Sequence, residues 1–288
     1  MERETTMRRL ILLACIATSF LSNHAAAAPF TDVSEPGLPG RLYVPPEAAY
    51  SARPLILYLH GAGEQGDDNS RQVSRHMASL SAAAKERGAF IYAPQAVANS
   101  GIHNWNDPDR TGHVMDMLDK IMEEHNTDPT RIYVTGISMG GGGTWNIVSE
   151  NPNKFAAAAP IAGVVTGDNF DAANVLGTPT WAFHARDDNL ISKNNTRNVV
   201  NGILEAAGED PLLFPADDDY VTEFDYFNSE LELTYTELAT GGHLIWLDIY
   251  ARPEFENWLF AQAVPEPDSF SLFAIAALLV VGVSRRRV

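Results

Sequence analysis

From residue 40 to residue 262 the chain alternates two apolar patterns. One is the short continuous run. Residues 54–60 are apolar almost throughout, which suits a strand buried on both faces of a parallel sheet. Runs at 40–44, 89–93, 131–135, 155–161, 180–184 and 231–238 read as further strands. The other pattern is periodic. Val114, Met117, Leu118 and Ile121 recur at the spacing of one helix face. Helices are predicted at 71–87, 114–125, 140–149, 194–207 and 254–262, and Asp128-Pro129 breaks the second of these. Alternation of this kind predicts an α/β fold with a mostly parallel central sheet and helices on both faces. Ligands then bind at the carboxyl ends of the strands. No internal repeat or low-complexity linker interrupts the pattern, and about 240 residues suit one domain.

The two ends depart from it. Arg8 and Arg9 precede an apolar run over 10–21, and small residues follow at 25–28. That is the order of a secretory signal peptide, cleaved near Ala26 or Ala27. The run is too short to span about 30 Å of hydrocarbon. At the other end Val264-Pro265-Glu266-Pro267 leads into an apolar stretch over 270–283, closed by Arg285, Arg286 and Arg287. An apolar helix ending in arginines stops in a membrane with the arginines inside. The Pro-Glu-Pro tripeptide, the span and the basic tail together resemble the PEP-CTERM sorting signal of Gram-negative bacteria. That resemblance implies an exosortase-type processing protease as a partner, followed by release or surface attachment; a plain membrane anchor is the alternative. The expected organisation is a signal peptide at 1–27, a catalytic domain at 28–263 and a sorting segment at 264–288.

Composition sharpens the reading of the middle. The chain of 288 residues carries a net charge of -17. Arg3, Arg8, Arg9 and the three terminal arginines lie in the end segments, so the middle is more acidic still. Duplex DNA and anionic membranes need a basic footprint, so no nucleic-acid partner is expected, and membrane contact only through the C-terminal segment. The single cysteine, Cys15, falls in the N-terminal run, which excludes an intrachain disulfide framework and a cysteine-based zinc cluster.

The strongest chemical signal is Gly136-Ile137-Ser138-Met139-Gly140, between a predicted strand and a predicted helix. A serine hydroxyl is a weak nucleophile and must be presented to a base. A tight strand-to-helix turn does this, and glycines two residues either side relieve its crowding. The helix start aims backbone N–H groups at a developing oxyanion. The N–H of Met139 is one candidate donor. The second is expected in the turn His60-Gly61-Ala62-Gly63-Glu64 after the buried strand, with Ala62 N–H first and Gly63 N–H next. His60 itself reads as a turn-stabilising residue. A triad carboxylate should follow a strand downstream of the serine, and Asp187 and Asp188 both qualify. The base is His243, in a loop loosened by Gly241 and Gly242. The order Ser138, acid, His243 is that of the α/β-hydrolase triad. His76, His103, His113, His125 and His184 form no metal-binding spacing, and no metal or cofactor is expected.

These residues resemble the α/β-hydrolase superfamily, most closely the phospholipase/carboxylesterase-type group with small polyhydroxyalkanoate depolymerases, feruloyl esterases and prolyl-oligopeptidase-like peptidases. The resemblance spans roughly residues 41–262. It implies the α/β-hydrolase fold and a serine esterase. In such relatives the acid stands four residues after the histidine of a Phe-His-Gly-type strand end, which maps onto Asp188, four after His184. Ala185 replaces the usual glycine, and disulfides like those of many secreted fungal feruloyl esterases are absent. Both departures leave the natural ester open.

Only a short insertion at 163–178 precedes the acid strand, so no large lid is expected. An open cleft would admit an ester substrate carried on a polymer or a polysaccharide. Trp105, in Asn104-Trp105-Asn106, is a candidate to stack on substrate in that cleft, with loop packing as its other role. The acidic run at 205–232, including Asp217-Asp218-Asp219, lacks the EF-hand pattern and reads as a solvated face. Two other functions fit the same sequence: a peptidase, although prolyl-oligopeptidase relatives normally add a propeller, and a non-catalytic surface or matrix binding protein on a hydrolase fold. The expected location is outside the cytoplasm of a Gram-negative bacterium: periplasmic, cell-surface or extracellular.

Overall fold

The computed structural model describes residues 30–35, 38–97, 104–165, 170–216, 219 and 222–264. The expected signal peptide and the segment after Val264 lie outside the described residues. No helix among the described residues is long and apolar enough to cross a membrane.

Nine strands form one sheet among the described residues: β1 (Thr31–Asp32), β2 (Gly40–Tyr43), β3 (Arg53–Leu59), β4 (Phe90–Pro94), β5 (Thr127–Ile137), β6 (Ala157–Ile161), β7 (Thr180–Ala185), β8 (Glu223–Asn228) and β9 (Leu233–Leu238). Their order is β1-β2-β4-β3-β5-β6-β7-β9-β8. The six strands from β4 to β9 in that order are parallel, and antiparallel pairs close both edges. The helices are α1 (Arg71–Ser74), α2 (Ala78–Glu86), α3 (Pro108–Glu124), α4 (Met139–Glu150), α5 (Asn194–Ala206), α6 (Trp246–Ile249) and α7 (Pro253–Ala261).

The period-2 geometry of a strand explains why the apolar runs are continuous. In β3, Leu55, Leu57 and Leu59 join a core with Val114 and Leu118 of α3 and Val200 of α5. Ile56 and Tyr58 point the other way, into a core with Leu80 of α2, Ile249 of α6 and Leu259 of α7. Helices therefore cover both faces of a mostly parallel sheet, the expected α/β-hydrolase architecture. Between β6 and β7 the described residues hold one 3-10 turn, Ala172–Val175, with Val175 buried in the core that α4 and α5 share.

Register sets the site. Leu59 pairs with Gly136, Ile137 with Ile161, and Ala185 with Leu238. The ends of β3, β5, β7 and β9 thus lie along one rim, and His60, Ser138, the Asp187-Asp188 turn and the His243 loop all follow from it.

Three expectations need correction. The helix expected over 71–87 is two helices, α1 and α2. The break buries Met77 and brings Nε2 of His76 within 3.2 Å of Glu64. Helix α3 begins at Pro108, six residues before the expected start, capped by the Asp107 carboxylate accepting from Asp109 N–H. Strand β8, within the acidic run read as a solvated face, was not expected at all. It is a half-exposed edge strand whose pairing with β9 supplies what its burial does not.

Candidate active site

Strand β5 ends at Ile137 and α4 starts at Met139, so Ser138 alone makes the turn. Its backbone takes φ 54° and ψ -116°, an unfavourable conformation for a residue with a Cβ. Neighbouring bonds hold it there: Ser138 N–H donates to Ile161 O at 2.9 Å, and Gly142 N–H donates to Ser138 O at 3.1 Å. The flanking glycines are required by close approach. A Cβ on Gly136 would overlap the carbonyl oxygen of Gly140, and one on Gly140 would overlap that of Leu59.

His243 lies in a 3-10 turn after β9. Its Nε2 is 2.8 Å from Ser138 Oγ and its Nδ1 is 2.7 Å from Asp188 Oδ2. With Nδ1–H donating to the carboxylate, Nε2 is bare and accepts from the serine hydroxyl. The Trp246 ring meets the imidazole edge to face, with centroids 5.1 Å apart.

The two aspartates divide cleanly. Asp188 Oδ1 accepts the N–H groups of Leu190 and Ile191 at 2.8 and 2.9 Å, and its Oδ2 faces His243 and, at 3.3 Å, Nε2 of His184. Burial pushes this carboxyl up. Hydrogen bonds from His184, His243, Ile191 and Leu190 outweigh burial and hold it well below the usual carboxylate range. Asp187 instead accepts from Gly242 N–H at 2.8 Å and Gly241 N–H at 3.4 Å, bracing the loop that carries His243.

On the far side of Ser138 lies the turn after β3. A Cβ on Gly61 would sit 3.5 Å from the Cβ of Ser138. Ala62 and Met139 each open a helical turn, so neither N–H has an intrahelical acceptor. His60 is buried with both ring nitrogens engaged: Nδ1–H donates to Gly61 O at 2.6 Å, and Nε2 accepts from Ala96 N–H at 2.9 Å. Burial lowers it to about 4, so it is neutral and structural at neutral pH.

Trp105 is a correction to the expectation of substrate stacking. The side chain is 0% exposed, its Nε1–H donates to His60 O at 3.0 Å, and its ring meets His60 edge to face. It packs beneath the His60 turn and presents no face to a ligand. Sequence reasoning also passed over Glu64 and Trp246, both buried beside the site; the one available signal was the place of Glu64 within the His60-Gly61 turn. Among the described residues no group of three or more His, Cys, Asp or Glu is arranged to hold a metal ion. Asp219 accepts from Ala216 N–H at 2.8 Å, whereas Asp217 and Asp218 lie outside the described residues.

Comparison with known proteins gives concordant matches. The family described as Esterase PHB depolymerase matches residues 38–191. A bifunctional acetylxylan esterase/xylanase, XynS20E, from Neocallimastix patriciarum is 31% identical over 150 residues, covering 51% of this chain and 21% of its own. Poly(3-hydroxyalkanoate) depolymerase C from Paucimonas lemoignei is 28% identical over 176 residues, covering 56% of this chain and 41% of its own. The chain thus spans less than half the length of these curated relatives. Among solved structures, a thermostable esterase superposes with a TM-score of 0.65 at 29% identity, covering 82% of this chain and 63% of that one.

Proposed function

Because the chain belongs to the Esterase PHB depolymerase family, we propose that it is an exported carboxylic-ester hydrolase in which Ser138, His243 and Asp188 form the catalytic triad. One observation carries this reading: the unbroken relay from Ser138 Oγ through both nitrogens of His243 to Asp188, at 2.8 and 2.7 Å.

Ser138 Oγ attacks the ester carbonyl carbon while His243 Nε2 takes the hydroxyl proton. The carbonyl oxygen becomes an oxyanion, which the N–H groups of Met139 and Ala62 stabilise. The intermediate collapses to acyl-Ser138, and His243 returns its proton to the departing alcohol. His243 then takes a proton from water as its oxygen attacks the acyl carbon, and returns that proton to Ser138 Oγ as the acyl–oxygen bond breaks and the acid leaves. Asp188 stays ionised throughout and holds the imidazolium in place.

The substrate is an ester borne on a polymer. The relatives named for activity on polyhydroxyalkanoates and acetylxylan support this choice. Export rests on the N-terminal pattern and on the sorting signal that the C-terminus resembles, with residues 28–263 as the catalytic domain. Hydrolysis of acetyl, feruloyl, 3-hydroxybutyrate and phospholipid esters, run against a peptide amide, tests the reading. Ester turnover with no peptide cleavage is expected. Peptide cleavage in preference to every ester would overturn it.

A further inference from the structure

Glu64 is 2% exposed, two residues beyond Ala62, and takes no part in the relay of Ser138, His243 and Asp188. We propose that Glu64 is a positioning residue for the oxyanion hole: its carboxylate steadies the turn at Gly61 so that the next N–H, that of Ala62, faces the oxygen of the carbonyl attacked by Ser138. The inference rests on the triad reading above.

Two consecutive peptides carry the argument. In the first, His60 C=O accepts Trp105 Nε1–H at 3.0 Å, and the Glu64 carboxylate lies against Gly61, whose N–H helps to hold it ionised. In the second, Gly61 C=O accepts His60 Nδ1–H at 2.6 Å and Glu64 N–H at 3.2 Å. A trans peptide points its C=O and N–H in opposite directions, and no peptide among the described residues is cis. With Gly61 O turned toward His60 and Glu64, Ala62 N–H is turned away from them. A Cβ on Gly61 would lie 3.2 Å from Glu64 Oε2 and 3.5 Å from Ser138 Cβ, so carboxylate and nucleophile approach the same glycine.

The surroundings make this grip sensitive to protons. Oε1 is 3.2 Å from His76 Nε2, whose ring meets Trp246, the residue that also packs on His243. Arg75 lies nearby, its Nη1 donating to Gly63 O at 3.1 Å, and the buried Tyr58 of β3 is raised by burial and by the charges of Tyr250 and Glu64. Burial raises Glu64 to about 7, while Arg75 and the N–H groups of Gly61 and Glu64 pull the other way. Burial and Arg75 lower His76. Acidification therefore protonates Glu64 and replaces a charge-assisted hydrogen bond to Gly61 with a neutral one of about half the strength.

The test measures kcat and KM for a p-nitrophenyl ester, and inhibition by a phenylboronic acid whose tetrahedral adduct with Ser138 places an oxygen in the hole. For Glu64→Ala, kcat should fall about 10- to 100-fold, somewhat less than loss of a whole oxyanion donor, with KM changed less than about 3-fold and boronate affinity falling with kcat. Glu64→Gln keeps an acceptor for Gly61 N–H but cannot titrate. Its kcat at pH 8 should stay within about 5-fold of wild type, and its ratio of kcat at pH 8 to pH 6 should be lower than the wild-type ratio by about 3-fold or more. Wild-type kcat in Glu64→Ala, a kcat loss without loss of boronate affinity, or equal pH ratios in Glu64→Gln and wild type would each overturn the proposal. If Glu64→Ala does not fold, the Gln ratio decides alone. A Ser138→Ala control separates the two readings: activity surviving there sinks the triad, whereas an inactive Ser138→Ala beside an unaffected Glu64→Ala sinks only the role of Glu64.

Discussion

Oδ2 of Asp188 lies 2.7 Å from Nδ1 of His243, while Asp187, one residue earlier, reaches only the backbone of the loop that carries this histidine. Adjacent carboxylates at the end of one strand therefore have separable duties. Asp188→Asn should reduce kcat by about 100- to 10,000-fold with little change in KM, because the imidazole loses its tautomeric control. Asp187→Asn should cost about 10-fold or less, since its amide oxygen can still accept from Gly242 N–H, the longer bond from Gly241 is lost and the site keeps its acid. Steady-state kinetics of the two variants checks this. Equal losses would mean that the two aspartates share the role.

The approach of α4 to the end of β3 makes a second expectation. Gly140→Ala places a methyl group against the backbone carbonyl of Leu59, and neither partner is a side chain that can move aside. The loss in stability should be about 3 kcal/mol or more, at the upper end of overpacking costs. Chemical denaturation measures it. Gly112, with open space around the position of a Cβ, is the control, and Gly112→Ala should not destabilise the protein.

Protonation of the turn after β3 gives a third. His60 is lowered from 6.5 to about 4, so the unfolded chain takes up a proton that the folded state refuses, and stability drops as pH falls from 6.5 toward 4. Glu64 is raised from 4.5 to about 7, so the folded state holds a proton that the unfolded chain releases, and its contribution grows as pH falls from 7 to 4.5. The two effects oppose each other across nearly one window. Glu64→Gln removes the second and should make the melting temperature fall more steeply between pH 7 and 5 than in wild type. Calorimetry across that range decides it, and parallel curves would contradict the opposing shifts.

Burial of Trp105 beneath His60 gives a fourth. Trp105→Ala should destabilise by about 3–5 kcal/mol, as removal of a large buried aromatic does. Trp105→Phe keeps much of the ring and loses the donor to His60 O, so it should lower kcat more than it raises KM. A rise in KM at constant kcat, measured on a polymeric or an aryl ester, would return Trp105 to the substrate surface.

Ser138 and His243 are legible in the sequence because their constraints are local: a strand-to-helix turn crowded enough to need Gly136 and Gly140, and a glycine-loosened loop after the last parallel strand. The central strands are legible because burial on both faces leaves them mostly apolar, with only scattered buried polar residues such as Thr135, Thr180 and His184. Asp187 and Asp188 cannot be told apart by spacing, since one turn carries both and only its folded path decides which carboxylate reaches Nδ1. Strand β8 escapes notice because Glu223–Asn228 is a half-exposed edge whose residues satisfy its backbone through β9, a partner that its own pattern does not encode. The break between α1 and α2 carries no glycine or proline, and coincides with the burial of Met77 and the contact of His76 with Glu64, neither of which the local pattern encodes. Trp105 and Glu64 show the same limit. Trp105 is buried beneath the His60 turn, 45 residues away in sequence, and Glu64, although in that turn, shows its burial only where the folded turn closes over it.

The proposed ester hydrolysis stands on Ser138 as its nucleophile. The most direct measurement is kcat/KM for a short p-nitrophenyl ester in wild type and Ser138→Ala, with the fold of the variant verified by its melting temperature. The expected result is a loss of about 1,000-fold or more in a protein that remains folded. Wild-type hydrolysis by folded Ser138→Ala would contradict the claim.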